Sequence, residues 1–154
     1  EIGLYDGRFT LPLNPNYLKE YRLQDDPAIS QYTPSFMAAM CGPIKTALNI
    51  TFDRKYYGIS RSVGQNWKRE SKRRPAVSLA ASMRRNPDMR ILFATGCYDM
   101  ICQMGQAKYL ANHINLPMDR VEITEYPSGH MAYLGESSAK AFADDVRRLI
   151  EGEN

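Results

Sequence analysis

Between residues 89 and 151 the sequence alternates twice between a short β-rich run and a helical stripe, and no other feature constrains the fold as strongly. Arg90–Thr95 is apolar and reads as a buried strand. Met104, Ala107, Ala111 and Ile114 then recur at helical spacing, and Asn115 and Pro117 end that helix. Val121–Tyr126 alternates and reads as a second strand, nearer a sheet edge. Ser137 or Ser138 is expected to cap a final helix, in which Ala139, Phe142, Ala143, Val146, Leu149 and Ile150 form one apolar stripe. Asp144 falls on its polar side, and Arg147 and Arg148 lie near the C-terminal end, where the helix dipole favours cations. Strand, helix, strand, helix implies parallel strands with helical crossovers, an α/β class. Two strands cannot make a covered parallel sheet. Further strands are expected from residues 1–88 or from sequence outside this chain. The second is favoured, because residues 1–88 do not read as strands.

Residues 1–35 are rich in turn formers (Gly3, Gly7, Pro12, Pro15, Pro27, Pro34) and are expected to be mostly irregular. A helix is expected from Thr33 as cap and Pro34 as first residue, with Phe36, Met40, Ile44, Ala47 and Leu48 on one stripe and an interruption at Gly42–Pro43. Residues 54–74 hold eight basic residues against Glu70 alone, a local charge of +7 in a chain of net +3. Pro75 opens a short helix to Arg85, with Val77, Leu79, Ala80 and Met83 inward.

With 154 residues, 44% hydrophobic and 24% charged, the chain is sized and composed for one globular domain and not for disorder. No apolar run approaches the roughly 18 residues of a membrane span, so no membrane partner is expected. A net +3 is too weak to imply nucleic acid by itself. Three cysteines, Cys41, Cys97 and Cys102, are too few and odd in number for a disulfide framework. The chain starts at Glu1 without a basic or apolar leader, and reads as a processed product or a piece of a longer protein.

In open α/β sheets, sites form beyond the carboxyl ends of strands. Asp99 follows the first strand in Gly96–Cys97–Tyr98–Asp99, and His130 follows the second in Pro127–Ser128–Gly129–His130. Adjacent parallel strands would bring these loops to one rim. A carboxylate accepting from the imidazole Nδ1–H fixes the tautomer and leaves the other nitrogen as general base. The order Asp then His is that of the α/β-hydrolases, in which the nucleophile precedes both. The plainer reading is that Asp99 caps the next helix and His130 decorates the surface. No G-x-S-x-G elbow is present; Gly58–Ile59–Ser60–Arg61–Ser62 lacks the second glycine.

Gly96–Cys97–Tyr98–Asp99–Met100–Ile101–Cys102 resembles the aspartate segment of the serine carboxypeptidase family, and Ser128–Gly129–His130–Met131 resembles its Gly-His-Met segment. Leu4–Tyr5–Asp6–Gly7–Arg8–Phe9–Thr10 is similar to the stretch leading into the cap region of bacterial members. The match is strong after residue 88 and loose over 11–88. It implies the C-terminal part of an α/β-hydrolase fold over residues 89–154, preceded by a mainly helical or irregular cap segment over residues 1–88. It implies release of C-terminal residues from peptides, with Asp99 and His130 as the last two members of a triad and Met131 and Tyr98 at the substrate. Met131, with Tyr133 and Leu134, can equally be core packing at the start of the last helix. The family's nucleophilic serine, oxyanion donors and carboxylate-binding groups have no counterpart here, so the chain alone is expected to be inactive.

The expected partners are a peptide substrate and the N-terminal half of the same protein, with self-association in place of that half; no cofactor is implied. A zinc set of Cys97, Cys102, His113 and His130 has loose spacing and no second paired half, so no metal is expected; Cys102 is expected to pack as a small hydrophobe near the triad. The alternatives are another α/β-hydrolase, an esterase or aminopeptidase, or a non-catalytic module binding through the basic 54–74 stretch, where Tyr56, Tyr57 and Trp67 interleave the cations. That stretch carries no nucleic-acid motif and is expected to be a solvated loop.

Overall fold

The computed structural model describes residues 1–12, 26–68 and 75–152. It is a mixed α/β structure in which two parallel strands are sandwiched by helices. Strand β1 (Ile91–Gly96) pairs with β2 (Val121–Tyr126) from Ile91 opposite Val121 to Gly96 opposite Tyr126. Helices α1 (Pro27–Ala39), α2 (Lys45–Ala47), α3 (Arg61–Asn66) and α4 (Pro75–Arg85) precede the sheet; α5 (Met104–His113) joins the strands and α6 (Glu136–Glu151) follows them.

Alternation along the strands sets the layers. Ile91, Phe93, Val121 and Ile123 turn to one face and pack with Ala80 and Met83 of α4, Ala111 of α5, and Leu116. The opposite face meets α6. The Tyr126 ring lies edge-on to Phe142, and its hydroxyl donates to Asp145 at 2.6 Å. Arg148 donates to both Glu122 and Asp145 at 2.9 Å. Arg120 ties β2 to the end of α4 by donating to the carbonyls of Met83, Asn86, Pro87 and Met89. Among the described residues the second edge of β1 has no strand partner.

Both strands, α4 and α5 lie where periodicity and proline placement put them. Other expectations are corrected. The first helix starts at Pro27, not Thr33: Asp26 is its cap, accepting from the N–H groups of Ala28 and Ile29. Pro34 sits inside that helix, and Thr33 donates its hydroxyl back to the Ile29 carbonyl. The interruption at Gly42–Pro43 is a π-helical turn, Met40–Ile44. Val77 is exposed, because Ala76, Leu79, Ala80 and Met83 make the inward stripe of α4 and Val77 lies one residue off it. Neither Ser137 nor Ser138 caps α6; Gly135, at φ 84°, stands there, and Ser138 is buried within the first turn. Ala143 and Ile150, expected inward on α6, are exposed.

Arg54, Lys55 and Lys68 of the basic stretch are exposed, as are Tyr57 and Trp67, but Arg61–Asn66 forms a short helix where only loop was expected. The remainder of that stretch, residues 69–74, lies outside the described residues, as do residues 13–25. No helix among the described residues is long and apolar enough to cross a membrane.

Candidate active site

The Asp99 and His130 loops leave adjacent parallel strands at the same end and are held together by continuing backbone hydrogen bonds. Cys97 N–H donates to the Tyr126 carbonyl at 2.9 Å and Tyr98 N–H to the Ser128 carbonyl at 3.0 Å. The approach is so close that a Cβ on Gly96 would collide with the Ser128 and Gly129 carbonyls.

The Asp99 carboxylate is buried and every hydrogen bond it makes has a purpose. Its Oδ1 accepts from the N–H groups of Ile101 at 2.8 Å and Cys102 at 3.0 Å, which locks the side chain against its own turn. Its Oδ2 takes His130 Nδ1 at 2.8 Å. With the carboxylate accepting, Nδ1 carries the proton, and in the neutral imidazole Nε2 is then the lone-pair acceptor. The His130 side chain is 36% exposed against 3% for Asp99. The pair is therefore anchored from the buried side and open to reactants on the other.

The His130 loop is shaped from within by Ser128. Its buried hydroxyl bonds to the carbonyls of Met131 at 2.9 Å and Leu134 at 3.2 Å. Ser60 and Ser62 hydrogen-bond each other, and among the described residues no serine hydroxyl bonds to His130.

The site's third wall was not foreseen. Residues 2–10 form a loop closed by a bridge between Ile2 and Thr10, and it lies across the Asp99 and His130 loops. Asp6, fully buried, accepts two hydrogen bonds from the Arg8 guanidinium, one from the Arg8 N–H and one from the Tyr32 hydroxyl. Burial alone would raise the Asp6 carboxyl, but the bonds and charge of Arg8 outweigh it and hold it below the usual carboxylate range. The Arg8 guanidinium lies 4.6 Å over the Tyr98 ring, so one face of Tyr98, a candidate substrate contact, is covered by this arginine. Met131 is half-buried, with its carbonyl committed to Ser128 and Leu134.

Cys102 is exposed, not packed as expected, and its N–H donates to Asp99. Partial burial and the Asp99 carboxylate both push its thiol up. Asp99, Cys102 and His130 offer ligand atoms within 4.8 Å of one another, the one such group among the described residues. Here both Asp99 oxygens are already committed, to two N–H groups and to His130.

No family model matches the chain, and no curated protein or solved structure matches it.

Proposed function

We propose that this chain supplies the aspartate and histidine of a Ser-Asp-His triad in a hydrolase resembling the serine carboxypeptidases, within an α/β-hydrolase fold completed by upstream sequence. The observation that carries the reading is the Asp99–His130 contact at 2.8 Å, at the carboxyl ends of adjacent parallel strands. In the complete enzyme an upstream serine gives its proton to His130 Nε2 as its oxygen attacks the scissile carbonyl. His130 then returns that proton to the leaving amine. Asp99 holds the imidazole in the tautomer that makes this work and stabilises the imidazolium that forms between the two steps. The substrate class, a peptide losing its C-terminal residue, rests on the resemblance of Gly96–Cys102 and Ser128–Met131 to that family.

The test is hydrolysis of N-acylated dipeptides and p-nitrophenyl esters by the protein with its upstream sequence, beside Asp99→Asn and His130→Ala. Peptide turnover should fall by roughly 10⁴-fold or more in each variant. Turnover indifferent to His130 would overturn the triad. Ester cleavage without peptide cleavage would favour an esterase on the same fold.

A further inference from the structure

The Asp99–His130 bond is not the sole contact that orients the pair. His130 is about one-third exposed, and water competes for Nδ1–H whenever the imidazole swings about its two side-chain bonds. What restrains it comes from the opposite end of the sequence. His130 N–H donates to the Tyr5 carbonyl at 2.7 Å, and the Tyr5 ring stands edge-on to the imidazole, 5.0 Å between centroids at 87°. The same segment grips the other loop: Met100 N–H donates to the Leu4 carbonyl at 3.0 Å, and Gly7 N–H to the Tyr98 carbonyl at 2.9 Å.

This segment is itself held from behind. Leu4 N–H donates to the buried carboxylate of Asp26 at 2.6 Å, and Asp6 is fixed by Arg8 and Tyr32. Gly129 leaves no room for a Cβ because the Tyr5 carbonyl and Asp6 press against it. Burial first, and the nearby carboxylates of Asp26 and Asp99, push the Tyr5 phenol further up from its ordinary value.

We propose that Tyr5 is a positioning residue for His130, its carbonyl fixing the histidine backbone and its ring edge fixing the imidazole plane so that Nδ1–H stays on Asp99. Its importance to catalysis rests on the function proposed above; its effect on His130 does not. The backbone half of the device survives any substitution at residue 5, so the ring is the part a variant removes.

The readout is the His130 Nδ1–H proton resonance in this 154-residue chain, with His113→Gln removing the only other histidine. In the unsubstituted protein the resonance should be downfield and slow to exchange. Tyr5→Ala should speed its exchange with water by about tenfold or more, while Tyr5→Phe, which keeps the ring edge, leaves it unchanged. Circular dichroism establishes that each variant is folded, and Tyr5→Leu, which keeps bulk without the ring, replaces the alanine variant if that one is not. Unchanged exchange in a folded Tyr5→Ala or Tyr5→Leu overturns the inference and leaves the proposed triad standing. Absence of the resonance in the unsubstituted protein, as Asp99→Asn should produce, would remove the pair and overturn both. Accelerated exchange beside an inactive complete enzyme would uphold the inference and sink the triad.

Discussion

Gly96 at the end of β1 packs backbone to backbone against Gly129, which lies one residue before the candidate base. Neither position tolerates a side chain: a Cβ on Gly96 meets the Gly129 and Ser128 carbonyls, and one on Gly129 meets the Tyr5 carbonyl and Asp6. Gly96→Ala should therefore spread the two loops and lower stability by about 1–3 kcal/mol, as overpacking does. Gly105→Ala, in α5 with nothing within 4 Å of its Cβ, should be neutral or stabilising by up to about 1 kcal/mol. Urea midpoints of the two variants check the contrast.

Asp6 makes stability depend on acid. Its folded pKa lies below the ordinary 3.8, so the folded state favours the ionised form. That contribution is complete above the unfolded value and is lost as pH falls through the folded one. Urea unfolding between about pH 2 and pH 6 should show a steep acid arm that Asp6→Asn flattens, at the expense of lower stability near neutrality. An equally steep arm in the variant would mean another carboxylate is responsible.

Cys102 reports on the charge of Asp99. Partial burial first, and then the carboxylate, disfavour the thiolate, so Asp99→Asn should accelerate alkylation of Cys102 by iodoacetamide near neutral pH. Cys41, remote in sequence and exposed, is the internal reference and should keep its rate. Peptide mapping of labelled protein over time separates the two.

The plan of the sheet was legible because it rests on local pattern. Val121–Tyr126 alternates, Arg90–Thr95 is apolar, and Asn115 and Pro117 stop the helix between them. Asp99 and His130 could be brought together from the same pattern, since parallel neighbours share a rim. The start of α1 was obscured because Thr33–Pro34 imitates a helix start within a helix already capped by Asp26. The third wall was illegible for a different reason. The contacts of Leu4, Tyr5 and Gly7 with the two loops are nearly all backbone hydrogen bonds, which leave no periodicity or residue type to find.

Serine substitutions should separate structure from chemistry. Ser128→Ala removes a buried hydroxyl bonded to two carbonyls and should lower stability by about 1–2 kcal/mol. Ser60→Ala, whose hydroxyl bonds only to Ser62 among the described residues, should change it by less than about 0.5 kcal/mol. Thermal melts read both.

The contact of Tyr5 with His130 also has a kinetic meaning. It closes a loop of almost the whole chain, whereas β1 and β2 are joined by a single crossover through α5. Closing a longer loop costs more entropy, and rates fall as contacts become less local. In a refolding experiment the strand pair should therefore form before the N-terminal segment docks. Helical signal and sheet should return first, and His130 should take up its final orientation only when residues 2–10 reach its loop.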